Sequence, residues 1–368
     1  MKTVKEGLVS LRIPDSKKEV FYNPEMELSR DISVAFLQAL GIKNAVVCDL
    51  LSAAGARAIR YAKETGAAKV YANDVSENAV NYIKENSKAN GADNKIVTSC
   101  SGANAFLASY KKYFDFIDID PFGSPVYFLD ELAKAAKPNS YLAVTATDCG
   151  ALAGVFPKTC AERYGIKLER TECFKEVGVR NLIGVLTASL GKQKLFVSPL
   201  LSHVTKHYFR IFLKISDKGE KLLGNFYHCS NCGYCTFDRV AKCEVCKSPT
   251  SKLGPIWSGN LYDKDVCFKI LDALKLPQFK KSGRARKIIL SLIGEMEQPF
   301  YYDIHKIAGR LSNNTPGIEF VMDELKKSGF ISSRTQFSDT SIKTDAKIGD
   351  IISIIGISDK LQRSKRTV

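Results

Sequence analysis

Five short runs rich in β-branched and aromatic residues, near 45–50, 69–73, 95–99, 114–119 and 141–146, alternate with helical patterns along the first two hundred residues. That alternation predicts a doubly wound α/β fold, because parallel strands can be joined only by crossovers, and crossover helices cover both faces of the sheet. The crossovers are expected at Arg57 to Glu64, Glu77 to Ala89, about Ala103 to Tyr110, and Val126 to Ala136. Two further apolar runs, Leu195 to Val204 and Tyr208 to Ile215, predict antiparallel strands that extend the sheet. Ligands of such sheets bind beyond the carboxyl ends of the strands. Asp49, Asp74, Gly102 and Asp120 all fall there.

The fourth run ends in Asp120-Pro121-Phe122-Gly123-Ser124-Pro125, a carboxylate followed by a rigid turn that carries an aromatic ring. These are the groups needed to methylate an amine on a flat base. The lone pair of such an amine is delocalised into the ring, so a carboxylate has to accept its N–H bonds and draw it toward tetrahedral geometry. A ring alongside holds the base by stacking. The alternative is an ordinary strand-to-turn junction, in which the prolines and glycine only stop the strand.

The first run leads into Leu50-Leu51-Ser52-Ala53-Ala54-Gly55, small residues that let a cofactor approach backbone amides at a helix N-terminus. The dinucleotide fingerprint G-x-G-x-x-G is absent, which counts against hydride transfer. Asp74 closes the second run, where an acid can accept both ribose hydroxyls of an adenosine or cap the following helix. Arg57 reads either as a bidentate clamp for a carboxylate or as a solvated face residue.

At 368 residues the chain exceeds what one core usually serves. Lys and Arg number 54 against 39 Asp and Glu, a net charge of +15 that suits a polyanionic partner or a merely basic enzyme. No apolar run reaches about 18 residues, and the N-terminus lacks a signal-peptide core, so no membrane contact and a cytoplasmic location are expected. Eleven cysteines in such a chain favour reduced thiols and a metal site. Cys229-x2-Cys232 and Cys243-x2-Cys246 form two thiolate pairs with the spacing of a tetrahedral zinc site in a small ribbon. Cys235 and His228 are outside candidates. The remaining cysteines, Cys48, Cys100, Cys149, Cys160, Cys173 and Cys267, are expected mostly to pack. Further on, Thr315 as N-cap, Pro316 in the first turn and Gly329 as stop predict a helix, and with helices around Arg286 to Glu295 and Asp303 to Leu311 this forms a winged-helix-like part. Lys280, Lys281, Arg284, Arg286 and Lys287, and the tail Lys360, Arg363, Lys365 and Arg366, are candidates for phosphate contacts or for a solvated face and a frayed tail.

Together these segments resemble a class I S-adenosylmethionine methyltransferase with a Rossmann-like sheet, and the flanking sequence resembles the tRNA guanine-26 N2-dimethyltransferase family over nearly the whole chain. The segments that carry the likeness are Phe21-Tyr22-Asn23-Pro24-Glu25-Met26 with Arg30-Asp31, Asp49 to Arg57, and Asp120 to Pro125. Thr145 to Asp148, Glu176 to Arg180, Ser333-Arg334-Thr335 and Ile342 to Ala346 complete them. The resemblance implies that Arg30 and Arg57 bind the methionine end of S-adenosylmethionine, that Asp74 holds the ribose, and that the Ala103 backbone meets the adenine. It implies four zinc ligands, Cys229, Cys232, Cys243 and Cys246, and tRNA as the partner. It assigns Asp120 as acceptor for the guanine amine, with Phe122 and Phe21 as aromatic walls. The family usually carries Asp-Ala-Asn where this chain reads Gly102-Ala103-Asn104, so the carboxylate expected near the adenine amino group is missing. Gln336 stands where the family generally has His. The expected division is a methyltransferase domain at 1–220 and a tRNA-binding domain at 221–368, with the ribbon at about 226–250. Two rivals remain: an amine methyltransferase for adenine or a protein amide, and a catalytically silent RNA-binding protein.

Overall fold

The computed structural model describes residues 2–15 and 20–364, and of 359–364 only the backbone. A hairpin of β1 (Lys2–Glu6) and β2 (Val9–Ile13) opens the chain, followed by a 3-10 turn at Pro24–Met26 and α1 (Glu27–Leu40). Then come β3 (Ala45–Asp49), α2 (Ala56–Glu64), β4 (Ala67–Asp74), α3 (Glu77–Ala89) and β5 (Ile96–Cys100). They lead to α4 (Ala103–Ala108), β6 (Phe114–Ile119), α5 (Leu129–Ala135) and β7 (Ala136–Ala146). Helices α6 (Cys149–Leu152), α7 (Pro157–Tyr164) and α8 (Phe174–Gly191) precede the hairpin of β8 (Phe196–Thr205) and β9 (Tyr208–Ser216).

Strands β3 to β9 form one sheet in the order β5-β4-β3-β6-β7-β9-β8. The first five pair in parallel, and β9 runs antiparallel to β7 and β8. The order reverses around β3, so the ligand crevice of such a sheet opens at the carboxyl ends of β3, β4 and β6. The expected strands are all present. Two helices differ from expectation. The predicted Val126 to Ala136 helix divides into a 3-10 turn at Pro125–Phe128 and α5, with Ser124 capping the turn. Helix α4 stops at Ala108, two residues early.

Contacts divide the chain into two compact units that are not contiguous in sequence. Residues 1–147, 186–221 and 262–290 form the first, and residues 148–185, 222–261 and 291–368 the second. The expected boundary near 220 coincides with one of these crossings. The segment 148–185 lies in the second unit, and 262–290, with its basic cluster, in the first. In the first unit α9 (Lys264–Ala273) packs on α1.

The second unit contains a three-stranded sheet, β11 (Cys235–Thr236), β10 (Leu223–His228) and β12 (Ser251–Trp257). Its C-terminal part runs β13 (Tyr302–Asp303), α11 (Ile304–Arg310), α12 (Ile318–Lys327), β14 (Ser332–Thr335), β15 (Ser338–Thr344) and α13 (Ile348–Ser364), preceded by α10 (Ser282–Gly294). Helix, strand, two helices and a closing hairpin in that order match the winged-helix expectation. The α12 start does not: Gly317 is the N-cap, and Thr315 and Pro316 lie before it. Gly329, with φ +86°, stops the helix as expected. Lys365 and Arg366 lie outside the described residues, as do the side chains of Lys360 and Arg363.

Three of the segments that carry the family likeness meet inside this unit. Glu176 accepts from Arg180 Nε at 2.9 Å and from the Phe300 N–H at 3.0 Å. Lys343 Nζ lies 3.3 Å from Glu176 and 2.9 Å from Glu295, and Thr335 donates to Glu295 at 3.0 Å. All four ionic side chains are at most 2% exposed, so each charge depends on the others. Lys343→Met leaves two buried carboxylates with one cation, and it should cost about 3–5 kcal/mol in urea unfolding of the second unit. A midpoint unchanged from wild type would contradict the network.

Candidate active site and metal centre

Asp49 ends β3, and the chain turns back through two left-handed residues, Ala53 at φ +47° and Gly55 at φ +80°. A side chain at Gly55 would meet Ile83 at 3.1 Å, so both space and backbone favour glycine. The turn is tied to β4: Ser52 N–H donates to Asn73 O at 2.9 Å, and Ala53 N–H to Asp74 Oδ2 at 2.9 Å. Asp74 Oδ1 accepts from Ser76 N–H at 3.0 Å, while Ser76 is the cap of α3. Asp74 therefore fixes two loops and is not the cap. Asp49 is 1% exposed, and among the described residues its Oδ2 has no hydrogen-bond partner. Burial pushes its carboxyl up to about 7; Asp118 and Asp120 add to the rise and Arg57 opposes it. An orphaned buried carboxyl oxygen beside this loop fits the ammonium of an amino-acid-bearing cofactor.

Asp120 follows β6. Its Oδ2 accepts from Arg57 Nη2, and its side chain keeps 19% of its exposure. Arg57 is buried rather than solvated; its other nitrogen donates to Ser33 Oγ at 2.9 Å and lies 3.5 Å from Asp118. Asp118, wholly buried, takes Arg210 at 2.8 and 2.6 Å and the Tyr61 hydroxyl at 2.5 Å. Burial alone would raise the Asp118 carboxyl, but Arg210 and Arg57 outweigh it and hold it below the usual range. The structure thus brings Arg57 and Asp120, assigned to different ligands by the resemblance, onto each other.

Arg30 departs further from expectation. Its carboxylate partner is Glu6, met by Nε and Nη2 at 2.6 Å each, with Asn23 O as a third acceptor at 3.1 Å. Arg60 joins the same cluster through Glu6 at 3.0 Å and Asp31 at 2.7 Å, so Arg30 clasps the N-terminal hairpin to α1. The two aromatic residues do meet. Phe21 and Phe122 stand edge to face with centroids 4.6 Å apart, and Phe122 is 77% exposed. Its loop is clipped to β7 by Gly123 N–H donating to Thr147 Oγ1 at 2.7 Å. Gly102 is the N-cap of α4, with open space where a Cβ would stand, and Ala103 is buried behind it.

Ser33, Tyr61, Asp118 and Arg210 escaped the sequence reading. A signal was present: an acid in Phe114-Asp115-Phe116-Ile117-Asp118-Ile119 and a cation in Tyr208-Phe209-Arg210-Ile211 each sit in an apolar strand, and buried charges come in pairs.

The cysteine cluster lies in the second unit. Cys229, Cys232, Cys243 and Cys246 place their sulfurs within 4.8 Å of one another, with Cys229 to Cys246 at 3.4 Å and Cys232 to Cys243 at 3.5 Å. Tetrahedral zinc with bonds of ~2.3 Å needs sulfurs ~3.8 Å apart, so the four thiols fit the ion. Each pair forms the same knuckle: Gly233 N–H donates to Cys229 O at 2.8 Å, and Lys247 N–H to Cys243 O at 3.0 Å, both from left-handed residues. At Gly233 a Cβ would strike Arg310 at 2.4 Å. Cys235 belongs elsewhere, its sulfur 3.5 Å from Cys173, and His228 sits between Glu169 at 2.7 Å and Glu172 at 3.2 Å.

A parallel sheet of this order, closed by one antiparallel hairpin and edged by acids after β3, β4 and β6, defines a class I S-adenosylmethionine-dependent methyltransferase. Residues 3–356 match the family model for N2,N2-dimethylguanosine tRNA methyltransferase, and the chain belongs to that family. It is 36% identical to a tRNA (guanine(26)-N(2))-dimethyltransferase of Methanothermobacter thermautotrophicus, over 96% of this chain and 98% of that one. A protein of the same description from Pyrococcus abyssi is 35% identical, over 96% and 98%. The S-adenosyl-L-methionine complex of Trm1 from Pyrococcus horikoshii matches with TM-score 0.89 at 34% identity, over 96% of this chain and 99% of that one. Among the described residues, no helix is long and apolar enough to cross a membrane.

Two measurements test these sites. Gly102→Asp meets no obstacle, supplies α4 with a capping carboxylate, and should lower the dissociation constant for S-adenosylmethionine about tenfold in calorimetry. Cys243→Ser should release the zinc and lower the melting temperature of the second unit; a metal content equal to wild type would contradict the ribbon.

Proposed function

We propose that this chain transfers two methyl groups from S-adenosylmethionine to the exocyclic N2 of guanine 26 in tRNA. The observation that carries the reading is Asp120 at the mouth of the sheet, beside the Phe21–Phe122 pair, in a chain that matches the family from end to end. We place the chemistry in the first unit, and tRNA binding by the ribbon and winged-helix-like part in the second, in the cytoplasm.

The cofactor would lie against the loop after β3, its ammonium near Asp49, its ribose at Asp74 and its adenine beside Gly102 and Ala103. Bound there, it supplies an electrophilic methyl carbon on a sulfonium that departs as a neutral thioether. Every other step belongs to the protein and the base. Arg57 grips one Asp120 oxygen and turns the other toward the crevice, and with Asp49 it adds charge near the amino-acid end of the cofactor. The free Asp120 oxygen accepts an N–H of the guanine amine and concentrates its lone pair on nitrogen. Phe122 and Phe21 hold the flat ring so that nitrogen and methyl carbon meet in line, about 3 Å apart. The nitrogen gains the methyl as the C–S bond breaks, and its surplus proton leaves through Asp120. Guanine 26 is stacked in folded tRNA, and its extrusion costs about a few kcal/mol. The exposed Phe122 face offers stacking in return.

Nucleoside analysis of tRNA treated with the protein and labelled cofactor tests the reading. Label in N2,N2-dimethylguanosine at position 26 is expected, and label confined to adenine or to protein would overturn it. Asp120→Asn should lower kcat by about 10²–10³ while tRNA affinity stays within a few-fold of wild type. A variant turning over at the wild-type rate removes Asp120 from the chemistry.

A further inference from the structure

The same unit carries a second charged feature, and its interpretation rests on the reading of the chain as a tRNA methyltransferase. Lys206 stands at the tip of the β8–β9 hairpin in a left-handed conformation, its ammonium 2.5 Å from Glu25 Oε2. Both side chains are more than half exposed. Lys281 is fixed before α10 by its N–H, which donates to Asp31 Oδ2 at 3.2 Å, and its ammonium lies 3.9 Å from Glu27. The Lys280 ammonium donates to Lys5 O at 2.9 Å, so the N-terminal hairpin joins the same edge. Exposed Arg284 follows one turn later. The Glu25 carboxyl is held below the usual range by the hydrogen bond from Lys206, with Arg284 and Lys281 adding their fields. Three segments remote in sequence therefore aim cationic groups at one exposed carboxylate.

Glu25 lies four residues after Phe21, at most about 14 Å of backbone from the ring that packs on Phe122. That reach is the scale of one or two nucleotides beside an extruded base. An exposed ion pair contributes little to folding, so Lys206 gives up Glu25 readily when a phosphate arrives. We propose that Lys206, Lys281 and Arg284 form a phosphate-binding rim on the methyl-transfer unit that grips the tRNA backbone next to the modified nucleotide, with Glu25 holding the rim until tRNA displaces it. Such contacts set the register of the substrate without reading its bases.

The test is equilibrium binding of an unmodified tRNA transcript to the full chain at salt concentrations from about 50 to 300 mM. The combined variant Lys206→Ala, Lys281→Ala, Arg284→Ala should bind more than tenfold more weakly at about 0.1 M salt, and the slope of log affinity against log salt should shallow by about 2. Glu25→Gln should act the other way and bind severalfold tighter, since it removes the competing anion. Unchanged affinity for S-adenosylmethionine reports that the variants are folded, and Glu25→Gln, an exposed change of one atom type, decides the matter if the triple variant is not. Parallel salt slopes for wild type and triple variant, or weaker binding by Glu25→Gln, would overturn the rim. Wild-type protein that binds no tRNA at any salt concentration would instead overturn the substrate reading on which the rim rests.

Discussion

Asp118 is wholly buried between two guanidinium groups, and the geometry of the crevice follows from that arrangement. β9 pairs with β7 so that Arg210 stands opposite Thr145, and from there it reaches both Asp118 oxygens and Ser33. Arg57, on the first turn of α2, completes the set and ends on Asp120. Burying five such charges is unfavourable unless each is paired, and losing one partner leaves the rest uncompensated in a low dielectric. The lattice therefore ties β6, β9, α1 and α2 together through side chains, independently of their backbone pairing. It also gives Asp120 a fixed direction at the point where its strand has ended.

Much of this was legible in the sequence, for identifiable reasons. The strands were readable because each buried run is short, apolar and followed by a turn signal, as in Ala45 to Asp49 and Phe114 to Ile119. The zinc ligands were readable because two C-x2-C pairs have few other uses. Helix ends were less so: Thr315-Pro316 has the chemistry of a helix start, yet Gly317 takes the cap position because an extended residue there lets the following Ile318 to Leu325 face the core. Side-chain partners were least legible. Arg30 and Arg57 were both expected to face a carboxylate, and both do, but the carboxylates are Glu6 and Asp120. Sequence shows that a cation needs an anion; which one it meets depends on contacts between residues 24 and 63 positions apart.

The segments that carry the family likeness divide into two physical kinds. Asp49 to Arg57 and Asp120 to Pro125 line the crevice. Glu176, Arg180, Thr335 and Lys343 instead form a closed ionic cluster inside the second unit, with Glu295 as the acid the motifs did not include. Such a cluster tolerates few substitutions because each member's burial is justified only by the others. A motif can therefore be as specific as a catalytic one while its role is to hold a domain together.

The discontinuity of the two units bears on how the protein is made. The sheet cannot close before β8 and β9 emerge, and α1 waits for α9, more than two hundred residues behind it. At about 5–20 residues per second of synthesis, the exposed apolar face of α1 persists for roughly ten seconds or more. Meanwhile residues 148–185 are already exposed without the segments they later fold with. Nascent chains of this architecture are natural clients for holding chaperones, and translation speed around residues 147–262 sets how long that vulnerable interval lasts.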